Sequence, residues 1–313
     1  MGECLFTLSV DYSAMKRTPI RAVVAIATSI SAIGLSACGD DGASPQPTME
    51  AASSAISSSA EASSSSSVDD PAAQKPGYDL VFDENFDTLS VSASGPNTTW
   101  SAHTPWNGDF GDAAFANPTS DFPFTIQNGI LRIEARQDAN GKWESGLLSS
   151  VDPSGNGFAQ QFGYWEIRAK LPPGAGVWPA FWLNSVMPAG TTDFGLEVDA
   201  FEYYGQFNNA FRSSYHIYPV DGSASTGASV PISVPADSLT SDFHVYGLSI
   251  EPDWIIYYLD GVETYRVATP VGYNHKEMIL IDLALGGGWP ITTTPNPSYM
   301  YVDYVRAYKL TGT

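Results

Sequence analysis

The chain has 313 residues and a formal net charge of −20, with 43% hydrophobic and only 15% charged residues. With 28 glycines, 22 prolines and 12% aromatic residues, this composition is typical of a β-rich globular protein with a large core. The acidic balance argues against a nucleic acid partner, because phosphates need basic patches. Both cysteines, Cys4 and Cys38, lie near the N-terminus, so the folded part has no disulfide and no thiol chemistry.

Residues 1–38 resemble an export signal. An apolar run at 22–35 ends in small residues before Cys38, and it follows three basic residues, Lys16, Arg17 and Arg21. This arrangement is typical of a bacterial lipoprotein signal, so we predict lipidation of Cys38 and anchoring to the cell envelope, at the outer membrane or cell surface. An ordinary cleaved signal with an incidental cysteine is the alternative. Because Met15 is a more typical start, we expect residues 1–14 to lie upstream of the true start codon.

Residues 39–76 are dominated by serine and alanine and contain almost no large apolar side chains. Such a segment cannot bury enough surface to fold, so we predict a disordered tether between the anchor and a folded domain at 77–313. That domain carries 10 basic and 26 acidic residues. Its net charge of −16 favours a neutral over a sulfated partner.

Short apolar runs separated by glycine, proline, asparagine and aspartate begin at residue 78. Helical periodicity is nowhere sustained, and two-residue hairpin turns are indicated at Asp260-Gly261 and Asn128-Gly129. This texture predicts a two-sheet β-sandwich. The candidate strands lie at 78–82, 130–135, 164–170, 177–183, 196–203, 211–218, 244–250, 254–259, 278–284 and 301–309.

The stretch 195–205 places three carboxylates inside a buried-strand pattern. Strand alternation puts Glu197 and Asp199 on one face, and Glu202 joins them only if a β-bulge absorbs one extra residue. Two glutamates on one face could serve glycoside hydrolysis, with Asp199 between them helping to set which one holds the proton. On spacing alone, a calcium site and a solvated sheet face remain open.

Two tryptophans lie upstream of this acidic stretch. Trp178 and Trp182 are four residues apart and therefore share a strand face. Flat aromatic faces suit the C–H surfaces of sugar rings, which suggests a carbohydrate cleft. The competing interpretation is that both are core side chains, since tryptophan is usually highly buried.

Three segments in this order and spacing resemble glycoside hydrolase family 16: Gly-Tyr-Trp-Glu-Ile-Arg-Ala-Lys-Leu-Pro at 163–172, Val-Trp-Pro-Ala-Phe-Trp at 177–182 and Glu-Val-Asp-Ala-Phe-Glu at 197–202. The resemblance extends to 81–86, 242–246 and 301–306, so it covers essentially the whole folded part. It implies an all-β, concanavalin A-like jelly roll sandwich with an open concave cleft for a polysaccharide. It further implies cleavage of internal bonds with retention of configuration.

The resemblance assigns the site residue by residue. Glu197 matches the nucleophile, Asp199 the assisting acid and Glu202 the acid/base, in the bulged form that the family shares among β-1,3-glucanases and hydrolases of agar and carrageenan. His216 matches a cleft histidine that contacts substrate near the acid/base, with a hydrogen-bonded structural role as the alternative. Apart from the resemblance, Trp289 could cap a sugar subsite, because the glycines before it let its loop approach a ligand closely.

No cofactor is required by this chemistry. The resemblance also assigns Glu84 and Asp303 to a structural calcium on the convex side, although two carboxylates alone are fewer oxygens than calcium needs. The expected partner is a polysaccharide, with no nucleic acid, no membrane contact beyond the lipid at Cys38, and a monomeric state.

The predicted activity is endo-hydrolysis of a β-1,3- or mixed-linkage β-glucan. The alternatives are hydrolysis of a β-galactan or a bacterial exopolysaccharide, and transglycosylation with the same residues. A non-catalytic carbohydrate-binding module is the rival from another class, because similar sandwiches recur in lectins. A binder has no need of Glu197, Asp199 and Glu202 together at this spacing.

Overall fold

The computed structural model describes residues 74–106 and 108–312, so the predicted signal, Cys38 and the tether up to residue 73 lie outside the described residues. Within them the chain is almost entirely β-structure. In chain order the elements are β1 (Tyr78–Glu84), β2 (Val91–Ser92), β3 (Trp100–Ser101), β4 (Ala114–Phe115), β5 (Phe124–Gln127), β6 (Ile130–Gln137), β7 (Trp143–Ser145), β8 (Leu147–Ser149), β9 (Ala159–Gln160), β10 (Gly163–Lys170), β11 (Val177–Ser185), β12 (Phe194–Glu202), β13 (Ala210–Pro219), β14 (Thr226–Ser233), α1 (Ser238–Ser241), β15 (His244–Ile250), β16 (Trp254–Leu259), β17 (Val262–Ala268), β18 (Glu277–Leu285) and β19 (Ser298–Leu310).

The strands form two sheets. A ten-stranded sheet has the order β17-β16-β15-β10-β19-β6-β7-β4, with β1 added beside β19 and β5 beside β6. A nine-stranded sheet has the order β14-β13-β12-β11-β18-β8-β3-β2, with β9 added beside β18. Sequence neighbours such as β10 and β11 lie in different sheets, which is how a sandwich of this kind is connected. The predicted all-β sandwich is confirmed.

The core lies between the two sheets, because strand alternation sends every second side chain inward. Phe181 and Val198 from the nine-stranded sheet meet Ile167 and Val305 from the ten-stranded sheet, all with no exposed surface. At about 1.5 to 3 kcal/mol for each fully buried large side chain, this core is the main source of stability.

The nine-stranded sheet also carries a second apolar cluster on its opposite face. This cluster contains Trp178, Ala180, Trp182 and Leu280, together with Phe115 from the short strand β4. A sheet that buries apolar side chains on both faces leaves little room for charge. The carboxylates of β12 therefore lie between the apolar side chains of this cluster.

All ten predicted strands are present. The turns at Asp260-Gly261 and Asn128-Gly129 have positive φ at both residues, as the two-residue hairpin turns require. The expectation of no helix is corrected by α1, a single turn that sequence periodicity cannot detect. Among the described residues, no helix is long and apolar enough to cross a membrane.

Candidate active site

The acidic strand β12 contains the predicted bulge. Its pairing with β13 sets Asp199 opposite Ser214 and Glu202 opposite Arg212, so three steps along β12 match two along β13. The pairing with β11 on the other side skips Ala200, which identifies the extra residue. The bulge thus returns Glu202 to the face of Glu197 and Asp199. We call this face, the side of the nine-stranded sheet turned away from the core, the site face.

Three hydrogen bonds hold the carboxylate of Glu202. Oε1 accepts from the indole N–H of Trp178 at 3.2 Å and from the hydroxyl of Tyr204 at 3.0 Å. Oε2 accepts from the hydroxyl of Ser214 at 3.0 Å. The rings of Trp178 and Tyr204 are stacked, with centroids 5.9 Å apart. Because the donors come from three separate positions, the carboxylate is fixed in direction as well as in place.

The carboxylate of Glu197 is held by two donors on the strands that flank β12. The amide of Asn184 on β11 donates to Oε2 at 3.1 Å, and the hydroxyl of Tyr218 on β13 donates to Oε1 at 3.2 Å. Each glutamate therefore has its own set of partners. Two carboxylates of one strand are thereby kept apart from each other and oriented independently.

Asp199 lies between the glutamates in sequence and is only 5% exposed. Burial raises the pKa of its carboxyl group well above the ordinary value, and the negative charges of Glu197, Glu202 and Asp282 raise that pKa further. Both effects favour the protonated form of Asp199. Protonated Asp199 adds no charge to the site, so its glutamate neighbours are spared one source of repulsion.

His216 joins this group from β13, where it lies directly opposite Glu197. Its Nε2 is 3.8 Å from Oδ2 of Asp199, and ligand atoms of Glu197, Asp199 and His216 all lie within 4.8 Å of one another. Burial lowers the pKa of the imidazole, against the opposing effect of Glu202. A neutral imidazole beside a protonated acid can exchange a hydrogen bond with it or with a bound hydroxyl group.

The two predicted cleft tryptophans are on the site face but are buried in it, each only 6% exposed. Their indole N–H groups point to carboxylates: Trp178 donates to Glu202, and Trp182 donates to Oδ1 of Asp282 at 2.8 Å. They form the floor of the site and orient acids. Both interpretations offered by the sequence therefore apply in part, because the rings are packed and still face the site.

The exposed aromatic rings lie beside this floor. Trp106 is 43% exposed, and its ring centroid is 6.2 Å from that of Trp182. Trp289, the predicted subsite residue, is 41% exposed and packs edge-on against Phe207 with centroids 5.1 Å apart. Trp106 and Phe207 were not predicted from sequence, because isolated aromatics in loops carry no periodic signal. Rings of this exposure are the ones that can stack on a sugar.

A fourth carboxyl group on the site face, that of Asp282, was also missed by the sequence reasoning. Asp282 lies on β18 and pairs with Ala180 of β11. On the opposite edge of β11, the same Ala180 pairs with Glu202 of β12. Burial raises the pKa of Asp282 to about 7, although hydrogen bonds from Trp182 and from the backbone N–H of Ala284 oppose the shift. A single aspartate at an alternate position of an apolar strand is the only sequence signal for it.

A buried carboxyl group also underlies the start of β12. Glu277 has no exposed surface and accepts a hydrogen bond from the hydroxyl of Ser185 at 2.6 Å, while Ser185 accepts one from the backbone N–H of Leu196. Burial raises the pKa of Glu277 to about 8, against hydrogen bonds from Ser185 and Tyr273. These two hydrogen bonds link Glu277 through Ser185 to Leu196, and so they fix the backbone next to Glu197.

The predicted calcium ligands have other partners. Glu84 accepts hydrogen bonds from the backbone N–H of Phe86 and the indole of Trp100, at 3.0 and 3.1 Å. Asp303 is paired with the guanidinium of Arg168 at 2.5 Å. A cation beside Asp303 disfavours a second cation there, and neither residue belongs to a group of three metal-ligating side chains in the described residues. This arrangement does not fit a calcium site shared by the pair.

Comparison with known proteins agrees with this geometry. Residues 114–306 match the model of "Glycosyl hydrolases family 16". The endo-1,3-1,4-beta-glycanase ExsH of Rhizobium meliloti (strain 1021) is 32% identical over 253 residues, which are 74% of this chain and 51% of that protein. The chain thus spans about half the length of this relative.

Two further similarities bear on the substrate. The catalytic domain of an endo-1,3-beta-glucanase (laminarinase) from Thermotoga petrophila RKU-1 superimposes with a TM-score of 0.57 at 25% identity, covering 75% of this chain and 99% of that domain. The keratan-sulfate endo-1,4-beta-galactosidase of Sphingobacterium multivorum is 28% identical over 253 residues, covering 74% of this chain and 56% of that protein.

Proposed function

The chain belongs to glycosyl hydrolases family 16, and we propose that it is a retaining endo-glycoside hydrolase that cleaves internal bonds of a β-1,3- or mixed-linkage β-glucan. The observation that carries this proposal is the bulged strand β12, which sets Glu197, Asp199 and Glu202 on one face with each glutamate held by its own donors. Glycoside hydrolysis needs two carboxyl groups with separate roles in this arrangement.

In the first step, Glu197 in its ionised form attacks the anomeric carbon from one side. The bond between that carbon and the leaving oxygen breaks, and Glu202 transfers its proton to the leaving oxygen. The product of this step is a glycosyl ester on Glu197. We expect the two carboxyl groups to lie about 5 to 5.5 Å apart, since an attacking carboxylate needs no room for an intervening water.

In the second step, Glu202 accepts a proton from water, whose oxygen bonds to the anomeric carbon and displaces Glu197. Two displacements on opposite faces restore the original configuration. The raised pKa of Asp199 favours its protonated form, which in the second step can donate a hydrogen bond to the departing carboxylate of Glu197 without adding negative charge.

The test is release of reducing ends from laminarin, mixed-linkage β-glucan, agarose and carrageenan. We expect activity on the glucans, and a loss of at least about a thousandfold in Glu197→Gln and Glu202→Gln, because each removes a reacting group. Glu144→Gln, the same change on the other sheet, serves as the matched control. A wild-type protein that binds one polymer and cleaves none would support a binding module instead.

The keratan-sulfate galactosidase among the relatives makes a β-galactan the second candidate substrate. Cleavage of agarose or carrageenan in preference to the glucans would favour it. Transglycosylation uses the same residues, with a sugar hydroxyl in place of water. Product analysis with an added oligosaccharide acceptor separates the two, because transfer yields products longer than any fragment of the donor.

We further propose that the protein is exported and anchored by a lipid on Cys38. The proposal rests on three basic residues, an apolar run and small residues before that cysteine. We expect labelled palmitate to be incorporated into the wild type but not into Cys38→Ser. Equal membrane association of both proteins would contradict the proposal.

A further inference from the structure

The ten-stranded sheet has an outer face, turned away from the core, that carries an unusual row of side chains. Register places Lys170 on β10 opposite Tyr301 on β19, and Tyr301 opposite Arg132 on β6. Tyr299 lies two residues before Tyr301 and therefore on the same face. We call Lys170, Tyr301, Arg132 and Tyr299 the outer patch. Strand alternation sends Met300 and Val302, the residues between and after the tyrosines, into the core.

Cations and rings are in direct contact in the outer patch. The ammonium nitrogen of Lys170 is 5.0 Å from the ring centroid of Tyr301, and the guanidinium carbon of Arg132 is 4.7 Å from that of Tyr299. The two tyrosine rings are 6.3 Å apart and tilted by 45°. All four side chains are half-buried, so each retains surface for a ligand.

A groove opens beside these residues. Its volume is about 300 Å³, and Lys170, Tyr299 and Tyr301 line it together with Thr240, Pro295 and Pro297. This volume lies at the lower end of the range for small-molecule sites. Rigid prolines and aromatic rings give the groove fixed walls, and the ammonium of Lys170 supplies a charged donor in it.

The charges of the outer patch are not balanced. Lys170 has no carboxylate within ion-pair distance among the described residues, and Arg132 and Arg136 share the single carboxylate of Glu134. The contacts of Lys170 are with two rings, since its ammonium nitrogen also lies 5.8 Å from the ring centroid of Phe243. The ammonium has three N–H donors, so it can donate to a ligand carboxylate while it stays over the rings.

We propose that the outer patch is a second carbohydrate-binding site that takes a carboxylate-bearing glycan chain. The tyrosine rings and prolines suit the apolar faces of sugar rings, and Lys170 suits the acidic substituent. An anionic membrane surface is a poorer match, because recognition of anionic lipid takes a cluster of several basic residues and the patch holds one unpaired lysine. The site lies on the sheet that does not carry Glu197, so it binds a chain without cutting it.

The inference is tested with the Glu197→Gln protein, in which no polymer is hydrolysed. The probes are carboxymethylated β-1,3-glucan and unmodified laminarin, measured by titration calorimetry with excess laminarihexaose present to fill the catalytic face. Lys170→Met keeps the aliphatic contact with Tyr301 and removes the charge. Lys142→Met removes the same charge from an exposed turn and is the matched control.

We expect the carboxymethylated glucan to bind, and Lys170→Met to weaken its binding about tenfold, the effect of losing one hydrogen bond to a charged group. Lys142→Met leaves the affinity unchanged, and with Glu197 restored, Lys170→Met keeps wild-type activity on laminarin. Equal affinities of the two lysine variants, or equal binding of the neutral and charged glucans, would overturn the proposal. Binding to phosphatidylglycerol vesicles in place of the charged glucan would overturn it as well.

Discussion

Individual carboxyl groups on the site face differ because their neighbours differ. Glu197 and Glu202 each accept hydrogen bonds from neutral side chains, whereas Asp199 is buried among other acids and its pKa is raised. The two glutamates thus differ in the donors that hold them, a difference that residue type alone does not show.

Tyr204→Phe tests the positioning of the acid/base. The change removes one donor to Glu202 but keeps the ring that stacks on Trp178. We expect kcat to fall about tenfold to a hundredfold with little change in KM, since a hydrogen bond to a charged group is lost while the substrate-binding surface stays.

The control for this variant is Tyr265→Phe, which removes a hydroxyl group from the other sheet. It should keep wild-type kcat. A Tyr204→Phe protein that loses affinity for substrate but keeps kcat would mean that Tyr204 contacts the sugar and does not act through Glu202.

At the residue scale, the sequence predicted that Glu197, Asp199 and Glu202 share a face, but not the side chains that hold them. Strand alternation plus one bulge was enough to place Glu197, Asp199 and Glu202 together. Asp282 comes from a strand about eighty residues further along the chain, and Ser214 is one serine among many. Such partners are set by register between strands, which a single sequence does not reveal.

Among the elements, β11 connects the functional parts of the site. It lies between β12, which carries the two glutamates of the proposed mechanism, and β18, which carries Asp282 and Glu277. Its two tryptophans donate to acids on either side, one to each neighbouring strand. The position of this strand explains why Trp178 and Trp182 are buried despite facing the site. The single-sequence pattern could identify their common face but not their neighbours.

Glu277→Gln tests the buried acid at the junction of β18 and β11. Burial raises the pKa of Glu277 from 4.5 to about 8, so protonation of this carboxyl group favours the folded state. This stabilisation is fully present below about pH 4.5 and is lost as the pH rises through 8, by a few kcal/mol at most. The amide mimics the protonated acid at every pH.

We therefore expect the Tm of Glu277→Gln to match that of the wild type at pH 5 and to exceed it at pH 9. Differential scanning calorimetry at the two pH values measures this, with Glu144→Gln as the matched substitution. A variant that is less stable than the wild type at pH 9 would show that the carboxylate form of Glu277 is the stabilising one.

The loop after β18 supplies another element of the site. A side chain at Gly287 would collide with the rings of Tyr204 and Trp178, at 2.7 and 2.8 Å, so this loop packs directly on the groups that hold Glu202. Trp289 follows two residues later with 41% of its surface exposed. Glycine permits the close approach, and the tryptophan reaches outward from it.

For Trp289→Ala we expect KM for β-glucan to rise about tenfold while kcat changes little, because an exposed ring binds substrate without taking part in the chemistry. Initial rates over a range of laminarin concentrations measure the two parameters. Trp254→Ala, at an equally exposed ring on the other sheet, is the control. A fall in kcat alone would place Trp289 among the groups that position Glu202.

On the scale of the whole molecule, the strands best predicted were the long ones near the centre of each sheet. Nine of the ten contain fully buried apolar side chains, so hydrophobic periodicity is strong, and the tenth, β1, alternates half-buried and exposed residues. The short strands β2, β3, β4 and β9 have two residues each and are too brief for any period. The order of strands in the sheets depends on contacts between distant segments, and here the resemblance to a family added what the pattern could not.

The two sheets also give the molecule two chemically different faces. The site face gathers the carboxyl groups of Glu197, Asp199, Glu202 and Asp282, and each of them that is ionised disfavours a polyanionic ligand. The outer face of the other sheet holds Lys170 without a carboxylate partner among the described residues. A neutral stretch of a polymer therefore suits the first face, and an acidic stretch suits the second.

The central claim is that Glu197 and Glu202 cleave a β-glucan by double displacement. Proton NMR of the anomeric signals during the first minutes of laminarin cleavage tests this claim most directly. We predict that the β-anomer of the new reducing end appears first and that the α-anomer follows only through mutarotation, because two inversions restore the configuration. Initial release of the α-anomer would contradict the account, since it would mean a single displacement by water and no nucleophilic role for Glu197.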